Sequence, residues 1–148
     1  MTQEQKDLLL KDLCGRLPYG VKGLVTFNGN IFMTQAQTED RTIDGKLYDR
    51  FAEFQDSWYD NVTIKPYLFP LLSMSEEQKY DFYCRFIEND CDFDDFKEFY
   101  LDNGTWHKLL TSLDDIEAII DWFHKNHFDY RGLIPMDLAI DATDKNIY

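Results

Sequence analysis

The sequence predicts an α+β fold: one helix, then a small antiparallel sheet curled or closed as an SH3-like barrel, then about three helices. Three observations carry this expectation. A capping-box signal opens a leucine-rich N-terminal segment. Short β-forming runs broken by Asn-Gly, Asp-Gly and Asp-Asn turn signals follow it. From Ser75 onward, apolar residues recur at helical spacing.

Thr2 and Gln5 stand at capping-box spacing ahead of Leu8, Leu9, Leu10 and Leu13. Gly15 and Pro18 supply a stop, so the first helix is expected over about residues 3–14. Val21 to Phe27 is rich in β-formers, Asn28-Gly29 tolerates positive φ, and Ile31 to Gln35 returns as the second arm of a hairpin. Asp44-Gly45 predicts a second hairpin that joins Arg41–Ile43 to Lys46–Tyr48, with Phe51 and Phe54 extending it. Asp60-Asn61 is a further turn, ahead of Val62 to Lys65, and Pro66 and Pro70 end the strand region. About five strands with little room for crossover helices close most economically as a barrel.

Ser75 and Gln78 form a second capping-box signal. The helix it opens places Phe82, Tyr83, Phe86 and Ile87 on one face. A third helix is expected over Phe93–Leu101, stopped by Asn103-Gly104. A fourth begins near Ser112 and buries Ile116, Ile119, Ile120 and Phe123. It carries His124, Lys125 and His127 at its end, where the helix dipole favours positive charge. The tail from Tyr130 is apolar enough to dock back on the core. With 148 residues, 44% hydrophobic and 16% aromatic, the chain is expected to be one domain: a β-rich half over 1–72 and an acidic helical half over 73–148.

Charge narrows the function classes. The net charge of −13 is concentrated in residues 73–129, which hold fifteen acids and five bases. Direct binding to nucleic acid or to an anionic membrane needs Lys/Arg density and is disfavoured, whereas a protein with a basic surface suits such a field. Cys14, Cys84 and Cys91 contain no CxxC pair, which fits a reducing cytoplasm, and Cys84 reads as a small buried hydrophobe. The N-terminus has acids among its leucines and reads as neither a signal peptide nor a membrane span.

Three segments together carry a resemblance. They are Leu17-Pro-Tyr-Gly-Val-Lys22, Ile64-Lys-Pro-Tyr-Leu68 with Pro70 and Ser73-Met-Ser-Glu-Glu77, and the closing run from Ile120 to Met136. In order and spacing they resemble a family of small proteins found in phages and prophages of gut Bacteroidales bacteria. Phe69 and Leu71-Leu72 depart from that family's more polar run, and Glu88 to Asp102 is peculiar to this chain. The resemblance implies a cytoplasmic setting in a bacterial host. It brings no activity and no catalytic residues.

Glu88 to Asp102 is the densest acidic segment, with seven carboxylates, one Lys and four aromatics. The aromatics argue for a folded helix with a negative outer face rather than a disordered tail. Asp90, Asp92, Asp94, Asp95, Glu98 and Asp102 are therefore the candidate partner-binding residues. Asp90-x-Asp92-x-Asp94 opens like a calcium loop, but the sixth position is Asp95 instead of Gly and the twelfth is Leu101 instead of Glu. Asp121, His124 and His127 could supply metal ligands for a hydrolytic enzyme, although no HExxH is present. Trp58 and Tyr59, beside a turn signal, are the candidate contacts if the sheet holds a peptide. No phosphate loop, nucleophile elbow or dinucleotide fingerprint occurs. The expectation is a non-enzymatic interaction protein without cofactors, binding a basic host or phage protein and imitating nucleic acid in its sharpest form. The alternatives are the metal-dependent or hydrolytic enzyme and the peptide-binding module.

Overall fold

A computed structural model describes residues 1–28, 37–52, 61–87, 91–102 and 115–148. Two compact units are formed, one from Met1–Leu68 with Arg131–Tyr148, the other from Phe69–Tyr130.

The first unit opens with α1 (Gln3–Arg16), where the Thr2 hydroxyl accepts from the Gln5 N–H and the Gln5 side chain returns the bond. The helix runs through Gly15, and the stop comes later than expected. A 3₁₀ turn, Leu17–Tyr19, uses Pro18 in its first turn, and Gly20 ends it in the left-handed region at φ 66°. Helical register is useful here because it sets Asp12 and Arg16 one turn apart. Arg16 Nε and Nη2 donate to Asp12 at 2.6 and 3.1 Å, both side chains are fully buried, and Arg131 Nε approaches the same carboxylate at 3.3 Å.

Among the described residues four strands form one mixed, open sheet in the order β2-β1-β3-β4. They are β1 (Lys22–Asn28), β2 (Gln37–Thr42), β3 (Asn61–Leu68) and β4 (Ile140–Asp141). β1 pairs antiparallel with β2 (Val25 opposite Glu39) and with β3 (Val25 opposite Ile64), while β4 runs parallel to β3. The pairing of β1 with β2 fits the hairpin expected at Asn28-Gly29, but Gly29 and the arm Ile31–Gln35 lie outside the described residues.

Among the described residues the sheet does not close into the expected SH3-like barrel, and the second hairpin is replaced by α2 (Gly45–Ala52). Asp44 is a helix cap instead of a turn residue: its carboxylate accepts from the Leu47 N–H at 2.9 Å. Leu47 and Phe51, one turn apart, are then buried together. The strand region also outlasts Pro66. Gly23 faces Pro66 across the ladder, and a Cβ on Gly23 would meet the Lys65 carbonyl oxygen at 2.9 Å. The absent side chain lets β3 continue to Leu68.

Leu9, Leu13, Val21, Val25, Ile64 and Leu68 form the centre of this unit's core with Leu133 and Leu138 from the tail. The tail docks as expected, and its Ala142 N–H donates to the Leu68 carbonyl. The Tyr148 hydroxyl accepts from the Lys22 N–H at 3.0 Å and donates to the Tyr67 carbonyl at 2.9 Å.

The second unit holds α3 (Glu76–Phe86), α4 (Phe93–Phe96) continued by a π-helical turn over Lys97–Asp102, and α5 (Ile116–Lys125). Its core is mostly aromatic. The Phe82 ring lies 5.0 to 5.9 Å from those of Phe86, Phe96, Trp122 and Phe123. On α5 the buried face is Ile119, Trp122 and Phe123, while Ile116 stays exposed. After α5, His127 is left-handed at φ 57°, the Phe128 N–H returns to the Phe123 carbonyl and the His127 N–H to that of His124. This is a Schellman cap with His where Gly is usual. The Phe69 N–H then donates to the His127 carbonyl, and the Asp129 N–H to that of Phe69. Among the described residues no helix is long and apolar enough to cross a membrane.

Candidate functional site

The acidic face is built from the starts of α3 and α4. Ser75 and Gln78 exchange capping bonds at 3.2 and 2.9 Å, which leaves Glu76 and Glu77 exposed in the first turn. At α4 the Asp92 carboxylate accepts from the Asp95 N–H at 2.9 Å. Asp92 is thus an N-cap, and Asp94, Asp95 and Glu98 point to solvent beyond it. Asp92 and Asp94 of the Asp-x-Asp-x-Asp run thus lie at a helix start. Asp90 lies outside the described residues, and Asp102 ends the π-helical turn.

Lys97 ties the two helix starts together. Its ammonium is 3.3 Å from Asp94, 4.0 Å from Glu76 and 4.6 Å from the centre of the Phe93 ring. Glu76 also accepts from Lys79 at 2.7 Å, and that bond holds its carboxyl below the usual range, with the charges of Lys79 and Lys97 adding to the effect. Behind the acids, Tyr80 and Tyr83 each place their rings 5.3 Å from Phe93, and the Tyr83 hydroxyl donates to the Cys91 carbonyl at 2.9 Å.

A cleft of about 490 Å³ lies beside this face, lined by Asp81, Arg85 and Phe86 of α3 and by Asp121, Trp122 and Lys125 of α5. Trp122 Nε1 donates to Asp81 at 2.9 Å and Arg85 Nε at 2.8 Å. These two bonds, the indole's first, hold the Asp81 carboxyl below its ordinary range. A carboxylate so stabilised accepts bonds well and is already ionised at neutral pH, with no proton to donate, so it is unsuited to general acid catalysis. Two carboxylates and two cations equip the cleft for charge recognition.

Among the described residues no group of three or more His, Cys, Asp or Glu could hold an ion, so Asp121, His124 and His127 are not brought together as ligands. Asp121 is exposed on the cleft wall, while His124 is buried with Nε2 3.0 Å from the Tyr130 hydroxyl. His127 is buried in the cap. Cys84 is exposed, not buried as expected, because it lies on the outer side of α3, and Cys91 is half-buried. Trp58 and Tyr59 lie outside the described residues.

Sequence reasoning missed Glu76, Tyr80 and Asp81 as members of this surface. The i, i+4 spacing of Asp81 and Arg85 was a signal for the pair. Nothing local announced that Trp122, forty-one residues on, would donate to the same carboxylate.

No protein-family model, curated protein or solved structure matches this chain. Fold and surface define the class on their own terms: an α+β protein with a strongly acidic helical unit.

Proposed function

We propose that the protein is a non-enzymatic interaction protein of phage or prophage type, whose acidic helical face binds a basic surface on a host or phage protein. One observation carries the reading. Asp92, Asp94, Asp95 and Glu98 are all exposed on a unit, residues 69–130, that holds fifteen acids against five bases. A concentrated negative field speeds encounter with a positive patch and is weakened by salt. In its sharpest form the face imitates nucleic-acid phosphates and blocks a DNA- or RNA-binding protein. The test compares wild type with the fourfold variant Asp92→Asn, Asp94→Asn, Asp95→Asn, Glu98→Gln as immobilised bait in a bacterial lysate at low salt. A basic protein retained by the wild type, released by salt and lost from the variant supports the reading. Recovery of no basic protein, or equal recovery by both baits, refutes it.

A further inference from the structure

Resting on that reading, we infer that the acidic face has a defined anchor: the exposed Tyr80 ring, backed by Phe93 and rimmed by Glu76, Glu77 and Asp94, seats an arginine side chain of a basic partner segment. Tyr80 is 56% exposed, one of few large apolar side chains so placed among the described residues. It is also held. Its ring meets Phe93 edge-on at 5.3 Å and 89°, and lies 6.2 Å from Tyr83 at 29°. A ring braced from two sides loses little freedom when a partner covers it, which is what a binding anchor requires.

The rim fixes the partner's chemistry. Glu76 and Glu77 precede Tyr80 by four and three residues on α3 and so share its side of the helix. Asp94 follows Phe93 directly, and its side chain is 92% exposed. The patch already accepts a cation of its own chain, since Lys97 sits over the Phe93 ring between Glu76 and Asp94. A second cation therefore meets an aromatic face and carboxylates at once. Arginine suits this better than lysine, because its planar guanidinium stacks on a ring while forking to a carboxylate. Charge complementarity selects a basic segment over an apolar one, for the surrounding unit carries ten more acids than bases.

The experiment titrates the full chain into a fluorescein-labelled oligo-arginine peptide at low salt and reads anisotropy, with an oligo-lysine peptide of equal length in parallel. Wild type should prefer the arginine peptide. Tyr80→Ala should weaken binding about threefold to fivefold, the reach of an exposed cation–π contact, and Tyr80→Phe should keep it. The Tyr80 ring protons should shift in NMR spectra of the wild type as peptide is added, a readout independent of how any variant folds. Binding that is unchanged in Tyr80→Ala, with static Tyr80 protons, overturns the anchor and leaves the acidic-face reading standing. Failure of the wild type to bind either peptide at low salt overturns both.

Discussion

Replacing Asp12 with Ala should destabilise the first unit by about 3–5 kcal/mol, the usual cost of removing one partner from a buried ion pair. The structure sets this magnitude at the upper end for a single substitution. Asp12 and Arg16 have side chains with no exposure, and Arg131 is 19% exposed. Two guanidiniums therefore share one carboxylate, and its loss removes the negative charge between them while Arg16 stays fully buried. Ala at position 12 improves helix propensity by only a few tenths of a kcal/mol, far too little to compensate. The assay is urea unfolding followed by circular dichroism, with amide exchange at the buried Val25 and Ile64 reporting on this unit alone. For a typical urea dependence near 2 kcal/mol per molar, the midpoint should fall by roughly 2 M. The triple variant Asp12→Leu, Arg16→Met, Arg131→Met should recover most of that loss, because an apolar set of similar volume has no charge to desolvate. A loss under about 1 kcal/mol in Asp12→Ala would refute the argument, since it would mean that the guanidiniums are hydrated.

Three further outcomes follow from packing and titration. Phe82→Ala, which removes the ring at the centre of the second unit's aromatic core, should cost about 3–5 kcal/mol in thermal unfolding. Gly23→Ala should cost about 1–3 kcal/mol, because its Cβ would lie 2.9 Å from the Lys65 carbonyl oxygen, whereas Gly45→Ala, with open space around it, should gain up to about 1 kcal/mol. Burial first, then the bond to Asp40, pushes the Tyr67 hydroxyl up to about 12 from its ordinary value of 10.0. Raised values favour the protonated native form, so this contribution is complete well below pH 10, where free tyrosine is half ionised, and is lost as pH climbs through 12. Absorbance near 295 nm should show one late-ionising tyrosine that is missing from Tyr67→Phe.

Local signals were legible where local chemistry decides the structure. Thr2 with Gln5 and Ser75 with Gln78 form both capping boxes at the spacing the sequence displays. Phe82 and Ile87 bury as their periodicity requires. Misreadings arose where one residue type serves two motifs. Asp44-Gly45 suits a hairpin and a helix start equally well, and the choice is made by burial of Leu47 and Phe51, which alternation cannot distinguish from a strand in so short a run. Pro66 signals a stop in the sequence because its tolerance within β3 depends on Gly23, forty-three residues earlier. The parallel pairing of β4 with β3 was invisible for the same reason: Ile140-Asp141 has no strand pattern of its own and is placed by the docked tail. At the site, exposure of Asp92, Asp94, Asp95 and Glu98 could be read from the aromatics between them. The cleft could not, because Asp81 and Trp122 meet only in the folded unit.

The acids on this face and the fold beneath them are separable, which makes the binding tests clean. Phe96 and Leu101 are 1% and 7% exposed, and burying two such side chains is worth about 3–6 kcal/mol. Repulsion between neighbouring surface carboxylates costs only a few tenths of a kcal/mol per pair, so the segment folds in spite of its charge. Asp92 is the exception, since its side chain caps α4 and Ala there should cost about 1 kcal/mol. Asn caps equally well, which is why neutralisation at that position uses Asn. Asp94, Asp95 and Glu98 are exposed, and Lys97, 3.3 Å from Asp94, offsets part of their mutual repulsion. Their dipole gain at the helix start and their repulsion nearly cancel, so the fourfold neutral variant should melt within about 0.5 kcal/mol of wild type. If it unfolds instead, the carboxylates are structural and the face is part of the scaffold. If it folds and no longer binds, the charge itself is the recognition element.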